Sequence, residues 1–389
     1  MLARVSGTPS VVVALAVIME TNEDRYVFVV EWYDQPADLV RKYQLTYYCI
    51  DSSVEMYDLK NRRIFLKRMQ VPALALSDIF LGNTITVYAR QLKVVEYADV
   101  FTRSRFESKK AKTFGMVKPD AYHHLGKIIA GVLAAGFKVT RLKMHRFTQA
   151  EAQSFYAEHR GKGFFNDLIS FMTSDVVVGL ELVAENAITA WRDFIGPTNS
   201  NTARSSKPDS LRAKFGTDGS KNAVHGSDSP TSAVRELDLF FGLPGNPAVL
   251  SNCTCCVVKP HAMNKLGEIV DGVLEEGFEI SALQLFNLDR PTAEEFLEVY
   301  KGVLPEFSQM VDDMTSGPCV AMEVRQENAV QSFRQIVGPS DPEIARSLRS
   351  TTLRAKFGLD RVRNAVHCTD LAEDGVLECQ YFFQILSPK

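Results

Sequence analysis

The spacing of apolar and polar positions changes character along this chain. Tyr26 to Tyr33, Tyr43 to Tyr48 and Ile85 to Ala89 are dense in β-branched and aromatic residues, with turn signals at Asp34-Gln35-Pro36 and Gly82-Asn83 between them. That pattern predicts a small, mostly β domain over residues 22–110. Beyond it, strand-like and helix-like runs alternate. Thr113 to Val117 predicts a short strand. Ile128, Ile129, Val132 and Leu133 fall at helical spacing within Gly126 to Ala135, and Gly136 stands where a helix-ending glycine belongs. Lys138 to Arg146 predicts a second strand, and Thr148 with Glu151 forms a capping box that opens the next helix. Asp175 to Leu182 predicts a third strand, and Ala187 to Phe194 a helix that stops before Gly196-Pro197. Asn222 to His225 is a last short strand, with a helix beginning near Ser229. Strands and helices alternating around one small sheet predict a ferredoxin-like α/β core.

The pattern then repeats. Leu211-Arg212-Ala213-Lys214-Phe215-Gly216 recurs as Leu353-Arg354-Ala355-Lys356-Phe357-Gly358, and Glu185-Asn186-Ala187 as Glu327-Asn328-Ala329, each 142 residues later. Val117-Lys118-Pro119 matches Val258-Lys259-Pro260, and Phe240-Phe241 matches Phe382-Phe383. Units this long mark domain duplication, not a solenoid. The expected organisation is an N-terminal extension over 1–21, the β domain over 22–110, a first α/β unit over 111–241, a Gly/Pro linker over 242–251 and a second unit over 252–389. Within the extension, Val11 to Met19 is an apolar run of nine residues. It resembles a signal-peptide core behind Arg4, lacks a clean cleavage site, and is far short of the ~20 residues that span a bilayer.

Composition narrows the function. A formal net charge of −3 argues against a broad grip on nucleic acid or on an anionic membrane, although it leaves room for local basic pockets. Seven scattered cysteines, an odd number, suggest a reducing compartment. Cys253, Cys255 and Cys256 cluster without a histidine at zinc-like spacing and are expected to be buried thiols at a strand start.

The candidate chemistry lies in the repeated histidine strand. His225 ends an apolar run and is followed by Gly226-Ser227-Asp228-Ser229; Glu236, eleven residues on, sits on the next helix. His367 and Glu378 repeat that spacing. An imidazole with one nitrogen held by a carboxylate and the other free is built to accept a phosphoryl group. Such a transfer also needs cations and donors around the phosphate oxygens. Lys118, Arg192, Thr198 and Arg212 recur in the same order as Lys259, Arg334, Ser340 and Arg354. There is no glycine-rich phosphate loop, so side chains and a metal would do that work.

Val117-Lys118-Pro119-Asp120, Arg212-Ala213-Lys214-Phe215-Gly216 and Asn222-Ala223-Val224-His225-Gly226-Ser227-Asp228-Ser229 with Glu236 together resemble the nucleoside diphosphate kinase family over about two-thirds of the chain. The resemblance implies a ping-pong transfer: a nucleoside triphosphate such as ATP phosphorylates His225, which then phosphorylates a nucleoside diphosphate, with Mg²⁺ held by the nucleotide phosphates and not by the chain. It implies that Lys118, Arg192, Thr198 and Arg212 hold phosphates, that Asn222 and Lys118 meet the ribose hydroxyls, that Phe164 stacks on the base, that Ser227 bonds Glu236, and that Tyr156 helps align Lys118 and the histidine. In the second unit it carries over more weakly to His367, Glu378, Lys259, Arg334, Ser340, Arg354 and Asn364.

The first unit departs from the family in having Lys162-Gly163-Phe164-Phe165 where Arg-Pro-Phe-Phe is usual. The second departs further: His261 follows Lys259-Pro260, the stretch after Tyr300 is shortened and lacks a clear stacking phenylalanine, and Cys368-Thr369 replaces Gly-Ser. The expectation is a weak or inactive second unit. Ser53-Val54-Glu55, Phe65-Leu66-Lys67-Arg68 and Asp78-Ile79-Phe80-Leu81-Gly82-Asn83 resemble the DM-ten domain of ciliary axoneme proteins, which implies a pleckstrin-homology-like β barrel. The fold expected is thus α+β multidomain: that barrel, then two tandem ferredoxin-like units. The arrangement implies a cytoplasmic, cytoskeletal address at the axoneme of a cilium or flagellum and at the centrosome, with tubulin of doublet microtubules and the γ-tubulin ring complex as partners. A chiefly structural role in microtubules, with little kinase activity, is the alternative. A third reading, hydrolysis of nucleic-acid phosphodiesters, finds no added metal-carboxylate cluster in support.

Overall fold

The structure is a computed structural model that describes residues 25–106 and 110–387. The apolar run at Val11 to Met19 lies outside the described residues. Two compact units are present, dividing after Ser108.

In the N-terminal unit, strands β1 (Arg25–Asp34), β2 (Leu39–Tyr48), β3 (Ser53–Asp58), β4 (Arg63–Gln70), β5 (Thr84–Val87) and β6 (Arg90–Tyr97) form one antiparallel sheet in the order β4-β3-β2-β1-β6-β5. The sheet curls until its edges approach. Tyr88, just past β5, donates its hydroxyl to the carbonyl of Gln70 at the end of β4 at 2.9 Å, and the Arg90 guanidinium lies 5.2 Å from the Phe65 ring centre. Inward positions such as Phe28, Val30, Tyr43, Leu45, Met56, Leu92 and Val94 fill the interior, as the pleat requires. Helix α1 (Val100–Phe106) plugs this core with Phe106, whose ring meets Tyr26, Phe28 and Tyr97. The result is the expected pleckstrin-homology-like barrel. The apolar runs pointed to three strands where six exist. β4 escaped because nearly all of it is exposed, so no buried face stamps a period on its sequence.

The second unit holds both repeats. The first contributes β7 (Lys110–Val117), α2 (Leu125–Ala134), β8 (Lys138–His145), α3 (Gln149–Phe155), α4 (Phe165–Met172), β9 (Val177–Glu185), α5 (Ala187–Ile195), α6 (Ser200–Ser206), α7 (Leu211–Phe215), β10 (Val224–Gly226) and α8 (Pro230–Phe241). The second contributes β11 (Cys253–Val258), α9 (Leu266–Glu275), β12 (Glu279–Phe286), α10 (Arg290–Phe296), α11 (Phe307–Met314), β13 (Cys319–Arg325), α12 (Ala329–Val337), α13 (Pro342–Leu348), α14 (Leu353–Phe357), β14 (Val366–Cys368) and α15 (Asp374–Gln380). Each repeat builds four antiparallel strands in ferredoxin-like order, β10-β7-β9-β8 and β14-β11-β13-β12. Local signals act as read: Thr148 and Glu151 cap α3 reciprocally, and Gly136 takes φ +82° after α2.

The sequence pattern suggested one small sheet in each unit; the structure joins the two. β8 pairs with β12 through Lys143 and Gln284, giving one eight-stranded sheet. Helices α2 and α9 pack across the same join at equivalent glycines. A Cβ on Gly126 would lie 2.3 Å from the backbone nitrogen of Asp271, and one on Gly267 would lie 2.2 Å from that of Ala130. The contact is two-fold symmetric in kind, as an isologous dimer interface is, but lies within one chain. Glu323 on β13 is fully buried and ties the linker down, accepting from the backbone N–H groups of Val249 and Leu250 at 2.7 and 2.6 Å and from the Ser281 hydroxyl at 2.6 Å.

Because the atom facing Gly126 is backbone, Gly126→Ala must push the helices apart. It is expected to destabilise the chain by about 1–3 kcal/mol in urea unfolding. Gly131→Ala on the same helix, where the new Cβ would meet Phe194 at an ordinary 3.5 Å, should be neutral or stabilising.

Candidate active site

The histidine strand begins with a backbone constraint. Ala223, immediately before β10, sits at φ +64°, and its counterpart Ala365 at φ +71°. Alanine in this region is strained, by on the order of 1 kcal/mol or more, and persists only where its surroundings hold it. Here the Ala223 N–H donates to the Asp120 carboxylate at 3.0 Å, and its carbonyl accepts from the Lys118 N–H at 2.8 Å. Asp120 belongs to the Lys-Pro-Asp motif, whose pattern assigns it no role; the left-handed alanine supplies one. In the second repeat, His261 Nε2 accepts from the Ala365 N–H at 3.1 Å, while its Nδ1 faces Asp313 at 3.3 Å. The aspartate-to-histidine change therefore preserves the acceptor.

His225 Nε2 lies 2.8 Å from Glu236 Oε2, and the Ser227 hydroxyl donates to the same oxygen at 2.7 Å. Burial opposes ionisation of Glu236, but hydrogen bonds from His225 and Ser227 and the nearby positive charge outweigh it and hold the carboxyl below its ordinary range. A carboxylate acceptor makes Nε2 the protonated nitrogen, which leaves the lone pair on Nδ1. Phe114, Phe155 and Tyr156 enclose the ring, with centroids 6.0, 5.7 and 6.2 Å away. The Trp191 indole N–H donates to the His225 carbonyl at 3.2 Å.

His225 opens on a cavity of about 920 Å³. Lys118, Tyr156, Phe164, Arg192, Thr198 and Arg212 line it, as do Asn222 and Glu236; Ser227 stands behind, on Glu236. The candidates thus converge from a strand end (Lys118), two helices (Arg192, Arg212) and loops. Lys118 is buried and donates to Asn222 Oδ1 at 2.7 Å and to the Ser220 carbonyl at 3.1 Å; burial and the Arg212 charge push its pKa down to about 8. Arg212 is held by the carbonyls of Gly196 at 2.9 Å and Val224 at 3.0 Å, and burial, then Arg192, lowers it to about 10. Asn222 donates to the Thr198 carbonyl at 2.8 Å. Phe164 is 47% exposed at the start of α4, a free ring face at the mouth. Lys162 lies 5.8 Å from that ring centre and 3.3 Å from His159 Nδ1, so it stays near the clamp although it replaces an arginine. Tyr156 differs from expectation: its buried hydroxyl bonds neither Lys118 nor His225, and it contributes ring packing.

This donor set suits a polyphosphate. Three cations and an amide converge beside a histidine, and the carboxylate nearest to it is already engaged. Among the described residues, the group of three side chains placed to hold a metal, Cys253, Glu323 and Cys379, is in the core of the second repeat.

The second repeat keeps the histidine pair, with His367 Nε2 2.8 Å from Glu378 Oε2, and Thr369 takes the serine's place with a 2.9 Å bond to that oxygen. Arg354 repeats the contacts of Arg212, to Gly338 and Val366. Asn364 still donates to the Ser340 carbonyl at 3.0 Å, and Lys259 keeps the contact equivalent to Lys118 with Ser220, to the Val362 carbonyl at 2.7 Å, but not the bond to the asparagine, whose Oδ1 is left without a partner. Glu306 stands before α11 where Phe164 stands before α4, so the stacking ring is absent. Cys368 has a packing explanation. In the first repeat, a Cβ on Gly115 or Gly226 would meet Trp191 at 2.9 or 2.5 Å. In the second, Phe333 replaces the tryptophan and the glycine pair becomes the cross-strand pair Cys256 and Cys368, all buried.

Known proteins resemble this chain over nearly its whole length. The family described as "Nucleoside diphosphate kinase" matches residues 111–244 and 252–386, and "Nucleoside diphosphate kinase 7 N-terminal PH domain" matches residues 20–108. The chain is 50% identical to "Nucleoside diphosphate kinase homolog 7" of Rattus norvegicus over 94% of this chain and 95% of that protein. It is 48% identical to the Mus musculus protein of that name over 98% of each. A crystal structure of Aquifex aeolicus nucleoside diphosphate kinase covers 33% of this chain and 94% of its own, at 47% identity and a TM-score of 0.33.

Lys118 must carry its proton to meet an anion, and its lowered pKa places the loss of that proton at about pH 8 in the free chain. Calorimetric titration with ADP is therefore expected to show affinity falling as pH rises through about 8. Lys118→Gln should bind more weakly with a flatter profile.

Proposed function

The chain belongs to the nucleoside diphosphate kinase family, and from that premise we propose that its first repeat transfers phosphoryl groups between nucleotides through a phosphohistidine at His225. The observation that carries this reading is the His225–Glu236–Ser227 triplet at the edge of a cation-lined cavity. Nδ1 of His225 attacks the terminal phosphorus of a nucleoside triphosphate; the bond to the bridging oxygen breaks and the nucleoside diphosphate leaves with that electron pair. A second nucleoside diphosphate then takes the phosphoryl group from Nδ1 by the reverse displacement. Glu236 stabilises the positive charge that the ring gains in each half-reaction. Lys118, Arg192 and Arg212 balance charge on the equatorial oxygens. Magnesium, carried in on the nucleotide, would screen the same charge. Phe164 offers a ring face to whichever base arrives, and stacking discriminates poorly among bases.

Incubation with Mg-ATP is expected to leave an acid-labile phosphate on the chain. His225→Ala should abolish it and His367→Ala should leave it. Glu236→Gln should slow its formation on the order of 10²-fold. Labelling that survives His225→Ala would contradict the assignment.

A second role is supported by the N-terminal barrel, the homolog-7 relatives that span nearly the whole chain, and the altered second repeat. In this role the protein sits in the cytoplasm and cytoskeleton, at the axoneme of cilia or flagella and at the centrosome. It binds doublet microtubules and the γ-tubulin ring complex, with the kinase fold serving partly as a structural block. No helix among the described residues is long and apolar enough to cross a membrane. Co-sedimentation with doublet microtubules should persist in His225→Ala; absence of the protein from purified axonemes would contradict this address.

A further inference from the structure

The two repeats differ most in the use of one aspartate. Asp228 and Asp370 occupy equivalent places, three residues past each histidine. In the first repeat, Asp228 is engaged by the hydroxyls of Ser232 and Ser229 at the start of α8. Arg192 lines the cavity with no ion pair among the described residues, and His159, at the end of the short 3-10 turn after α3, lines it too. In the second repeat the residues aligned with those serines are Leu371 and Asp374, and α15 begins at Asp374 where α8 begins at Pro230. Asp370 has lost its hydroxyl partners and gained an acidic neighbour four residues on. Its carboxylate instead accepts from the Tyr300 hydroxyl at 2.6 Å and pairs with the Arg334 guanidinium, which also donates to the Thr369 carbonyl at 3.4 Å. The arginine left unpaired in the first repeat is paired in the second, and Tyr300, which stands where His159 stands in the first, adds a hydroxyl donor. The His367 side chain is 6% exposed, against 20% for His225.

We propose that Asp370 is the residue that denies polyphosphates the equivalent site of the second repeat: its carboxylate stands in for a phosphate on Arg334 and Tyr300. The proposal rests on reading that site, like the first, as a nucleotide site. A ligand must displace the carboxylate from both donors and also bring its own negative charge up to that carboxylate. Burial disfavours ionised Asp370, but the bonds from Tyr300 and Arg334 more than offset this and keep it below its ordinary range, so it remains charged near neutral pH. The Arg334–Asp370 pair is nearly half exposed, so the latch is modest in strength. Its effect is a handicap on affinity, in proportion to the charge the ligand brings.

The test uses the full chain with its first site silenced by Lys118→Ala and Arg192→Ala, titrated calorimetrically with Mg-ADP and separately with pyrophosphate. Asp370→Asn is expected to tighten binding of both by about fivefold or more. A second variant, Leu371→Ser with Asp374→Ser, keeps Asp370 but restores hydroxyls to hold it at the helix start; it should give a gain in the same direction and decides the matter if Asp370→Asn fails to fold. Tighter pyrophosphate binding without tighter Mg-ADP binding would support the role of Asp370 and overturn the nucleotide reading of this site. A gain below about fivefold for Asp370→Asn with both ligands, or for the serine variant where Asp370→Asn does not fold, would overturn the proposal.

Discussion

One carboxylate oxygen governs the chemistry of each repeat. Glu236 Oε2 receives both the His225 ring and the Ser227 hydroxyl, and Glu378 Oε2 receives His367 and Thr369. Because the oxygen can only accept, it decides which ring nitrogen carries hydrogen and which carries the lone pair. The surrounding structure serves that bond. The left-handed alanine turns the strand so that its histidine faces the helix bearing the glutamate, and an acceptor on the turn after the neighbouring strand, Asp120 past β7 or His261 past β11, fixes the alanine. The sheet order places this short strand at the outer edge of each repeat, where a cavity can open beside it. The inner edges are joined to each other through β8 and β12.

The two repeats are a controlled comparison made within one chain. Replacements that looked like decay in the sequence divide into two kinds. Asp120 to His261, Ser227 to Thr369, and the Gly115–Gly226–Trp191 set to Cys256–Cys368–Phe333 all preserve a bond or a packed volume. Loss of the ring at Phe164 and loss of the serines that hold Asp228 preserve nothing, and both act where a ligand would enter. The second repeat is therefore intact as a fold and altered as a receptor.

The sequence made the histidine, its glutamate and the cation set legible because each recurs at fixed spacing, and spacing survives in one dimension. Helices and strands of the repeats were legible where a buried face imposed a period, as at Ile128, Ile129 and Val132. The barrel was only half legible: β4 buries almost nothing, and α1 is too short to show a period. The joining of the two sheets left no local trace, since it depends on Gly126 and Gly267 meeting partners about 140 residues away. The work of Asp120 was hidden because its partner is a backbone N–H, which no side-chain pattern reports. Tyr156 was assigned alignment of Lys118 by resemblance, and the geometry gives it a packing role instead.

The claim on which the rest turns is that the Glu236 bond to Nε2 makes Nδ1 of His225 the nucleophile. Nitrogen-15 and phosphorus-31 NMR of the full chain after incubation with Mg-ATP would identify the phosphorylated ring atom directly. A single phosphoimidazole is expected, with phosphorus bonded to Nδ1 of His225 and Nε2 still protonated against Glu236. Phosphorus on Nε2, or equal labelling of His225 and His367, would contradict it.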